Sequence, residues 1–386
     1  MLAAVRVALL IAGFHPLVGG AEKQARLLAK TLHQRHDIDF TVVTRGAAGT
    51  PLVDAVDGIP VIRAPNSVRS RWLASSSYLG AGLAFLALQP RRFDIYHCVQ
   101  SYSPATLAVL AARIRGGRVI VKVTASNELG EAAELRRLPF FRTRMRLLER
   151  VDAFVALTGQ VERELMSLGI DQSRIVQIPN GVEIPPPAGI DERRTIRQRL
   201  GMDRVAPVVV YAGRLSQEKG LVSLLKAWAM LQRVRPEARL VFVGPGGHVR
   251  NVEQQLVDMV RELALGESVR FVGAVPDVAP YLAAADVFVL PSRSEGLSNA
   301  LLEAMAHGKS IVTTDIDGNS FVAADRDCLK VAVDDSHALY TAIAALVEHA
   351  DLRERLGRSA RDLAIRQFSI EAVSDRYLAL YRRVSS

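Results

Sequence analysis

Cysteine is nearly absent from this sequence. Only Cys98 and Cys328 occur among its 386 residues, and no C-x-x-C pair is present. A disulfide-stabilised scaffold and a cysteine-based zinc site are therefore excluded, because both need several cysteines at short spacing. Reduced thiols are typical of cytoplasmic proteins, and we expect that location here.

Long apolar stretches are lacking as well. None reaches the roughly 18 consecutive apolar residues that a membrane-spanning helix needs, and residues 75–88 come closest. Residues 2–14 resemble the apolar part of a signal peptide, but Arg6 interrupts them and no small-residue cleavage pattern follows. We therefore predict a buried first β-strand at this position.

Acidic residues are scarce in the first part of the chain. Residues 1–150 hold 21 of the 49 Lys and Arg residues but only 10 of the 40 Asp and Glu residues, so the net charge of +9 arises there. A basic excess suits nucleic acid, anionic lipid or an acidic acceptor. No nucleic-acid-binding module is recognisable, so nucleic acid is not expected. An arginine-rich surface without a partner is the alternative.

Apolar runs alternate with segments of helical periodicity, which predicts an α/β fold with parallel sheets. The predicted strands cover residues 5–12, 39–44, 59–63, 95–98, 118–124, 153–157, 175–178, 207–212, 239–243, 269–272, 287–290 and 310–313. The predicted helices cover residues 21–33, 75–88, 104–114, 142–150, 159–168, 191–200, 221–232, 249–265, 278–284, 298–307, 336–349 and, after further helical stretches, 370–384.

Three consecutive prolines, at positions 185–187, mark a domain boundary, since they can continue neither a helix nor a central strand. We predict a Rossmann-like N-terminal domain over residues 1–183 and a Rossmann-like C-terminal domain over residues 184–368. A terminal helix over residues 369–386 is expected to pack back on the first domain. Ligands of such folds bind at the carboxyl ends of the strands, so we expect the two sheets to face each other across a cleft.

The segment from Tyr211 to Gly220 joins a predicted strand to a predicted helix and carries two cations. Gly213 allows a close turn of the backbone, and Arg214 and Lys219 leave the strand where a helix N-terminus also points. A helix start, a guanidinium and an ammonium together make a site for a diphosphate. The alternative is a solvated basic loop.

A second strand-to-helix segment, residues 291–303, carries two carboxylates. Glu295 is expected in the loop and Glu303 in the first turns of the helix. Glu303 suits a ribose diol, because a carboxylate accepts from both hydroxyls, and Glu295 would contact sugar hydroxyls. Ser298 or Asn299 is the expected N-cap, and the N–H groups of that turn can bind phosphate oxygens. The alternative is two surface carboxylates, with Glu303 interacting favourably with its helix dipole.

Together these segments closely resemble family 4 of the retaining glycosyltransferases, which have the GT-B fold. The resemblance rests on the G-R-L…E-K-G loop at 213–220 and on two glutamates separated by seven residues, the second of which begins E-A-M-A-H-G at 303–308. It covers nearly the whole chain in the family's order, through residues 19–22, 179–182, 271–275 and 285–292.

The resemblance implies an enzyme without cofactor or metal ion that acts in cell-surface polysaccharide synthesis. Its donor would be a UDP-sugar or GDP-sugar bound by the second domain, and its acceptor a saccharide or lipid-linked saccharide bound by the first. The implied catalytic residues are Arg214 and Lys219, which hold the diphosphate, and Glu295, which contacts the transferred sugar. The implied donor-binding residues are Gly19, Gly20, Gly244, Val275, Leu297, Ser298, Asn299 and Glu303.

Elementary electrostatics agrees with a metal-free reaction. Departure of a nucleoside diphosphate develops negative charge, which fixed cations and helix dipoles stabilise. D-x-D sequences occur at 37–39 and 315–317, the first beginning a predicted strand and the second following one. The alternative to a metal-free site is that the second sequence, at 315–317, binds a metal ion.

The sequence also lacks the His that family members often carry after the strand predicted at 118–124. We expect Ser126 or Asn127 to supply its hydrogen bond to the sugar. His97 resembles a His common at its position, but a His at a strand end is more often structural. The same caution holds for His15.

Basic and aromatic side chains are concentrated at residues 136–150. Phe140 and Phe141 lie among six arginines, which are Arg136, Arg137, Arg142, Arg144, Arg146 and Arg150. Basic residues beside exposed aromatics suit an anionic membrane surface, so we expect peripheral contact with the inner membrane face. A solvated helix face with its aromatics in the core is the alternative.

Two other functions are left open. A nucleotide-sugar epimerase or hydrolase of similar fold would release a free isomer or a free sugar without an acceptor. An inactive copy that binds nucleotide sugar or a partner glycosyltransferase is the non-enzymatic alternative, because residues 315–321 lack the glycine that family members often have before Gly-Asn and the glutamate shortly after it.

Overall fold

The structure of the protein is a computed structural model. It describes residues 5–17, 19–36, 38–47, 49–65, 71–125, 130–138, 140–203, 205–246 and 250–385, and for residues 71–74 the backbone only.

The chain folds into two compact units. The first comprises Met1–Gly181 together with Ile370–Ser386, and the second comprises Val182–Ser369. The chain therefore leaves the first unit once and returns to it at its C-terminal end. The sequence predicted these transitions after residues 183 and 368. The assignment of the acceptor to the first unit and the donor to the second stays a prediction.

A mixed sheet forms the centre of the first unit, with strand order β3-β4-β2-β1-β5-β6-β7-β8. Its strands are β1 Arg6–Leu10, β2 Asp39–Arg45, β3 Val53–Val56, β4 Ile59–Ala64, β5 Ile95–Val99, β6 Arg118–Val123, β7 Ala153–Ala156 and β8 Ile175–Gln177. Its helices are α1 Gly20–His36, α2 Arg71–Leu88, α3 Ser103–Arg115, α4 Glu131–Arg137, α5 Phe141–Leu148, α6 Gly159–Ser167 and, at the C-terminus, α14 Ile370–Ser385.

Apolar runs account for the inner strands of this sheet. All five residues of β5 and all four of β7 are buried, as expected for parallel strands covered by helices on both faces. On one face the core includes side chains of α1 and α14, and on the other it includes side chains of α2, α3 and α6.

The prediction of parallel sheets is correct except for β3, which pairs antiparallel with β4. The turn between them is Asp57-Gly58, and both residues have positive φ values of 53° and 82°. An Asp-Gly pair between two short strands is a strong hairpin signal, which could have revealed β3 from the sequence. The prediction also missed α4.

The second unit contains a parallel sheet with strand order β11-β10-β9-β12-β13-β14. Its strands are β9 Val208–Ala212, β10 Arg239–Val243, β11 Val269–Gly273, β12 Val287–Leu290, β13 Ser310–Thr314 and β14 Leu329–Val331. Its helices are α7 Ile190–Arg199, α8 Leu221–Gln232, α9 Glu253–Glu262, α10 Ala279–Ala284, α11 Asn299–Ala306, α12 Ser336–Glu348 and α13 Ala350–Leu363. Strand β14 was not predicted, and α9 is shorter than the predicted helix at 249–265.

Among the described residues, the structure contains no helix with the length and apolar character required to cross a membrane.

Candidate active site

The second unit brings the two predicted strand-to-helix segments together. Strands β9 and β12 are hydrogen-bonded neighbours, although β10 and β11 lie between them in sequence. Strands β10 and β11 lie on one side of β9, whereas β12, β13 and β14 lie on the other. Such a reversal opens a crevice at the carboxyl edge of the sheet, where α/β folds bind ligands. The loops after β9 and β12 both begin at this edge.

A direct ion pair joins the two loops. Lys219 Nζ lies 2.7 Å from Glu295 Oε1, with side-chain exposures of 14% and 8%. The hydroxyl of Ser292 donates to the same carboxylate oxygen at 2.6 Å, and Ser292 itself is fully buried. Lys219 and Glu295 are thus fixed in mutual contact. Sequence reasoning predicted both residues for the site but not their contact, and it did not single out Ser292.

Arg214 is more accessible than Lys219. Its side chain is 57% exposed, and Nη2 lies 3.6 Å from Glu218 Oε1. The backbone of Arg214 is held by the buried Tyr211, whose hydroxyl donates to the Arg214 carbonyl at 2.7 Å. The guanidinium therefore extends from an anchored backbone and can reach a ligand at the surface.

Glu218 is the acidic partner that the sequence did not single out. Its carboxylate accepts a hydrogen bond of 2.6 Å from the Ser216 hydroxyl. Burial alone would raise the pKa of Glu218, but the hydrogen bonds and the charge of Arg214 outweigh it, and the pKa lies below its usual value. Glu218 therefore carries the negative charge that orients Arg214.

Two glycines permit the close packing of these loops. Gly220 has a φ of +66°, and a Cβ there would lie 2.0 Å from the carbonyl oxygen of Pro291. Gly244 has a φ of +138°, and a Cβ there would lie 2.1 Å from the carbonyl oxygen of Gly213. Side chains at either position would push the loops apart. Gly244 was predicted to lie near the nucleotide; the structure places it directly behind the Arg214 loop.

Helix α11 begins at the end of the second loop. Ser298 is its N-cap, and its hydroxyl oxygen accepts from the Leu301 N–H at 3.3 Å. Leu297 anchors the turn in the core with 9% exposure, and Asn299 opens the helix. Glu303 is half-buried in the second turn. The positive end of the helix dipole therefore lies in the same loop as Glu295.

The stretch that departs from the family pattern packs against Glu295. A short 3-10 helix, Asp317–Asn319, follows β13, and a Cβ on Gly318 would lie 2.3 Å from the Glu295 carbonyl oxygen. The fully buried Asn319 donates to the Thr313 hydroxyl at 2.8 Å. This segment therefore still supports the loop that carries Glu295. In the sequence, Gly318 was the feature that could have indicated this close packing.

The remaining predicted residues lie in both units. Val275 is half-buried just beyond β11. In the first unit, Gly20 is the first residue of α1, and the Gly19 carbonyl accepts from Lys23 at 2.9 Å. His15 is exposed in the loop before them. Ser126 and Asn127 lie outside the described residues.

His97 is structural rather than accessible. It is fully buried, and Nδ1 lies 2.7 Å from the Tyr381 hydroxyl of α14. Burial, with a further contribution from the Lys122 charge, lowers the pKa of His97 to about 3. The interpretation of His97 as a structural residue is therefore correct.

The basic segment at 136–150 presents most of its arginines to solvent. Phe140 is 78% exposed, whereas Arg144 and Phe141 are half-buried. The exposed arginines are Arg136, Arg137, Arg142, Arg146 and Arg150. One exposed aromatic ring therefore lies next to several cations. This arrangement agrees with a membrane-binding surface and equally with a solvated basic surface.

Comparison with known proteins identifies the family. The family model for glycosyl transferases group 1 matches residues 206–349, and the model for glycosyltransferase family 4 matches residues 18–184. The lipopolysaccharide core biosynthesis glycosyltransferase LpsE of Rhizobium meliloti is 32% identical over 250 residues, which are 64% of this chain and 69% of LpsE. The chain belongs to glycosyltransferase family 4. The resemblance seen in its sequence motifs is therefore confirmed.

Two further proteins extend the comparison of this glycosyltransferase. A D-inositol 3-phosphate glycosyltransferase of Kineococcus radiotolerans is 30% identical over 346 residues, covering 81% of this chain and 78% of the relative. The crystal structure of Anabaena HepE in complex with UDP is similar with a TM-score of 0.79 at 20% identity, covering 98% of this chain and 100% of HepE. That likeness concerns the fold, and it confirms the predicted GT-B class.

Proposed function

We propose that this glycosyltransferase transfers a sugar from a nucleoside diphosphate donor to a saccharide or lipid-linked saccharide, with retention at the anomeric carbon. The observation that carries the proposal is the Lys219–Glu295 pair, held at 2.7 Å at the strand-order reversal of the second unit and next to the start of α11. The names of LpsE and of the D-inositol 3-phosphate glycosyltransferase support a sugar transferase of glycan synthesis.

In this proposal the second unit binds the donor diphosphate. Arg214 and Lys219 bring two positive charges, and the N-terminus of α11 adds its dipole. Glu218 and Glu295 hold the two cations in place before the donor arrives. Preorganised charge of this kind stabilises a transition state because no reorganisation is needed during the reaction. We propose that it supplies what a divalent metal ion supplies elsewhere.

The bond changes follow from this arrangement. The bond between the anomeric carbon and the β-phosphate oxygen breaks, and both electrons leave with the nucleoside diphosphate. The acceptor oxygen forms the new bond on the face that the phosphate vacates, and its proton passes to a phosphate oxygen. Glu303 binds the ribose hydroxyls, and Glu295 contacts the transferred sugar as well as Lys219.

A turnover assay tests the proposal. Purified protein is incubated with UDP-sugars or GDP-sugars and saccharide acceptors, and released nucleoside diphosphate and the anomeric configuration of the product are measured. Arg214→Ala should lower turnover by about 100-fold or more, as loss of one preorganised charge-stabilising group does. The matched control is Arg261→Ala, since Arg261 is 70% exposed on α9 and, among the described residues, forms an ion pair with the neighbouring Asp258 alone.

Three results would contradict the proposal. Equal turnover of Arg214→Ala and the parent protein would remove the role of the guanidinium. A product with inverted configuration would exclude retention. Release of an isomerised nucleotide sugar without any acceptor would identify an epimerase instead.

The donor is identified most directly by thermal shift. A ligand that binds the native state raises the unfolding temperature, so a panel of UDP-, GDP- and ADP-sugars ranks the donors. We expect a UDP-sugar or GDP-sugar to give the largest shift. The solved complex of HepE with UDP supports a UDP-sugar. No shift with any sugar nucleotide would contradict donor binding.

We further propose that the segment 136–150 contacts an anionic membrane surface on the cytoplasmic side, where a lipid-linked acceptor would lie. The exposed ring of Phe140 and the exposed Arg142 and Arg146 support this. In liposome flotation, anionic vesicles should recover more protein than neutral ones, and Arg142→Ser with Arg146→Ser should reduce the difference. Arg261→Ala is again the control, and equal recovery with both lipids would contradict the proposal.

A further inference from the structure

A group of polar side chains lies buried between the sheet of the first unit and helix α14. His97 comes from β5, Lys122 from β6, and Tyr377 and Tyr381 from α14. Both tyrosines and the histidine are fully buried, and Lys122 is 4% exposed. We call these four residues the Lys122 cluster.

The members of the Lys122 cluster are in mutual contact. His97 Nδ1 lies 2.7 Å from the Tyr381 hydroxyl, and the His97 and Tyr377 ring centres are 5.3 Å apart. Lys122 Nζ lies 5.8 Å from the centre of the Tyr377 ring. His97 therefore contacts both tyrosines, and the Lys122 ammonium lies beside the Tyr377 ring.

Hydrogen-bond donors outnumber acceptors in this cluster. The Tyr377 hydroxyl and His97 Nε2 have no partner within the described part of the chain. His97 and Tyr381 share two hydrogens and use one in their bond, so one donor is left in either tautomer. An ammonium on Lys122 adds three more donors.

Among the residues that the structure describes, no carboxylate forms an ion pair with Lys122. The sequences of β1, β5, β6 and β7 contain neither Asp nor Glu. The acidic residues of α14, Glu371 and Asp375, are exposed on its outer side. The single acidic residue of α1, Glu22, lies in its first turn against Gly13 and Gly19.

A buried ammonium without a counter-charge is unfavourable, and two changes relieve it. One is loss of the proton, and burial lowers the pKa of Lys122 to about 7. The other is binding of an anion. An anion offers acceptors only and so satisfies surplus donors, whereas a water molecule would add two hydrogens that themselves need acceptors.

We propose that the Lys122 cluster is a binding site for a small monovalent inorganic anion, such as chloride, inside the first unit. Lys122 supplies the counter-charge, and the Tyr377 hydroxyl and the His97–Tyr381 pair supply hydrogen-bond donors. The complete burial of three of the four side chains limits the occupant to a single small ion. None of the four residues is among those proposed for the donor site.

Thermal unfolding of the full chain in two salts tests the site. At about pH 6, sodium chloride should give a higher unfolding temperature than sodium gluconate at the same concentration, because chloride binds the native state. The difference should shrink at about pH 9, where the Lys122 side chain is neutral in the native state. Lys122→Met should abolish the difference at both pH values.

The matched control is Lys309→Met in the second unit. Lys309 is also largely buried, but its ammonium donates to the carbonyls of Ala283 and Ala285 at 3.1 Å each. The salt difference should therefore persist in this variant. Tyr377→Phe, which removes only a hydroxyl, should reduce the difference, and it provides the same test if Lys122→Met does not fold.

Bromide locates the site directly. Crystals grown with sodium bromide should show an anomalous peak within hydrogen-bond distance of Lys122 Nζ in the parent protein and no peak in Lys122→Met. Equal unfolding temperatures in chloride and gluconate would overturn the proposal. So would a salt difference that persists in Lys122→Met, or bromide peaks that occur only elsewhere.

Discussion

Lys219 in the second unit and Lys122 in the first are both poorly exposed, but their surroundings are opposite. Lys219 has a carboxylate at 2.7 Å, provided by Glu295. The ammonium of Lys122 has no ion pair or hydrogen bond among the residues that the structure describes, and burial lowers the pKa of Lys122 to about 7. A nearby carboxylate preserves the charge of a poorly exposed lysine, whereas burial without a carboxylate or a bound anion favours the neutral form.

The position of each lysine explains the difference. Lys219 lies in a loop at the carboxyl edge of a sheet, where a second loop from the neighbouring strand supplies Glu295. Lys122 lies within β6, which carries no acidic residue and whose neighbours β5 and β7 carry none either. The first environment is organised for a charged ligand from solvent, and the second encloses a charge inside the core.

Breaking the pair in the second unit should have the largest effect. Lys219→Ala removes one of two cations proposed for the diphosphate, so turnover should fall by about 100-fold or more. It also leaves the Glu295 carboxylate, which is 8% exposed, without its counter-charge, and stability should fall by about 3 kcal/mol. Enzyme assay and urea unfolding measure the two effects.

A double-mutant cycle provides the control for this prediction. Lys219→Ala combined with Glu295→Ala should lose less stability than the sum of the single variants, because the partners act on each other. Strict additivity would show that the contact contributes nothing, and the comparison between the two lysines would then fail.

Removing the charge in the first unit should act in the opposite direction. Lys122→Met replaces an uncompensated buried amine by an apolar chain of similar length, so we expect a gain on the order of 1–3 kcal/mol in chloride-free buffer. The free energy of unfolding, measured with urea, reports it.

The pH dependence gives this prediction a second test. Burial lowers the pKa of Lys122 in the native state from the ordinary lysine value of 10.5 to about 7. Between these two pH values the unfolded chain binds more protons than the native one, so the parent protein gains stability as the pH rises. The advantage of Lys122→Met should therefore be largest at and below about pH 7 and shrink toward pH 10. A constant advantage would contradict the burial of an ionisable amine.

The smallest expected effect concerns the start of helix α11, next to the proposed donor site. Ser298→Ala removes the N-cap of α11 and should lower stability by about 1 kcal/mol, whereas Ser298→Gly should lower it by only a few tenths. Urea unfolding measures both variants. No loss of stability in Ser298→Ala would show that the Ser298 hydroxyl is not acting as a cap.

Much of the second unit was predictable because its apolar runs are strong. The strands at 239–243 and 287–290 and the helix at 221–232 have the bounds that the sequence predicted. Arg214, Lys219 and Glu295 could be proposed for one site from their motifs. The ion pair could not, because its partners are 76 residues apart and meet only through the strand-order reversal.

The Lys122 cluster was less accessible to sequence reasoning. A lysine between valines within a predicted strand indicates which face its side chain occupies, but not that α14 covers that face with two tyrosines. Contacts across 284 residues, such as that between His97 and Tyr381, depend on the return of the C-terminal helix to the first unit. Local periodicity carries no information about such partners.

The central proposal is that Arg214 and Lys219 hold a nucleoside diphosphate without a metal ion. Calorimetric titration of UDP and GDP in the presence of EDTA tests it directly. We expect binding of at least one of them by the parent protein and by Arg261→Ala, and an affinity at least about 10-fold weaker in Arg214→Ala. Binding that appears only when magnesium is added, or equal affinities in the parent protein and Arg214→Ala, would contradict it.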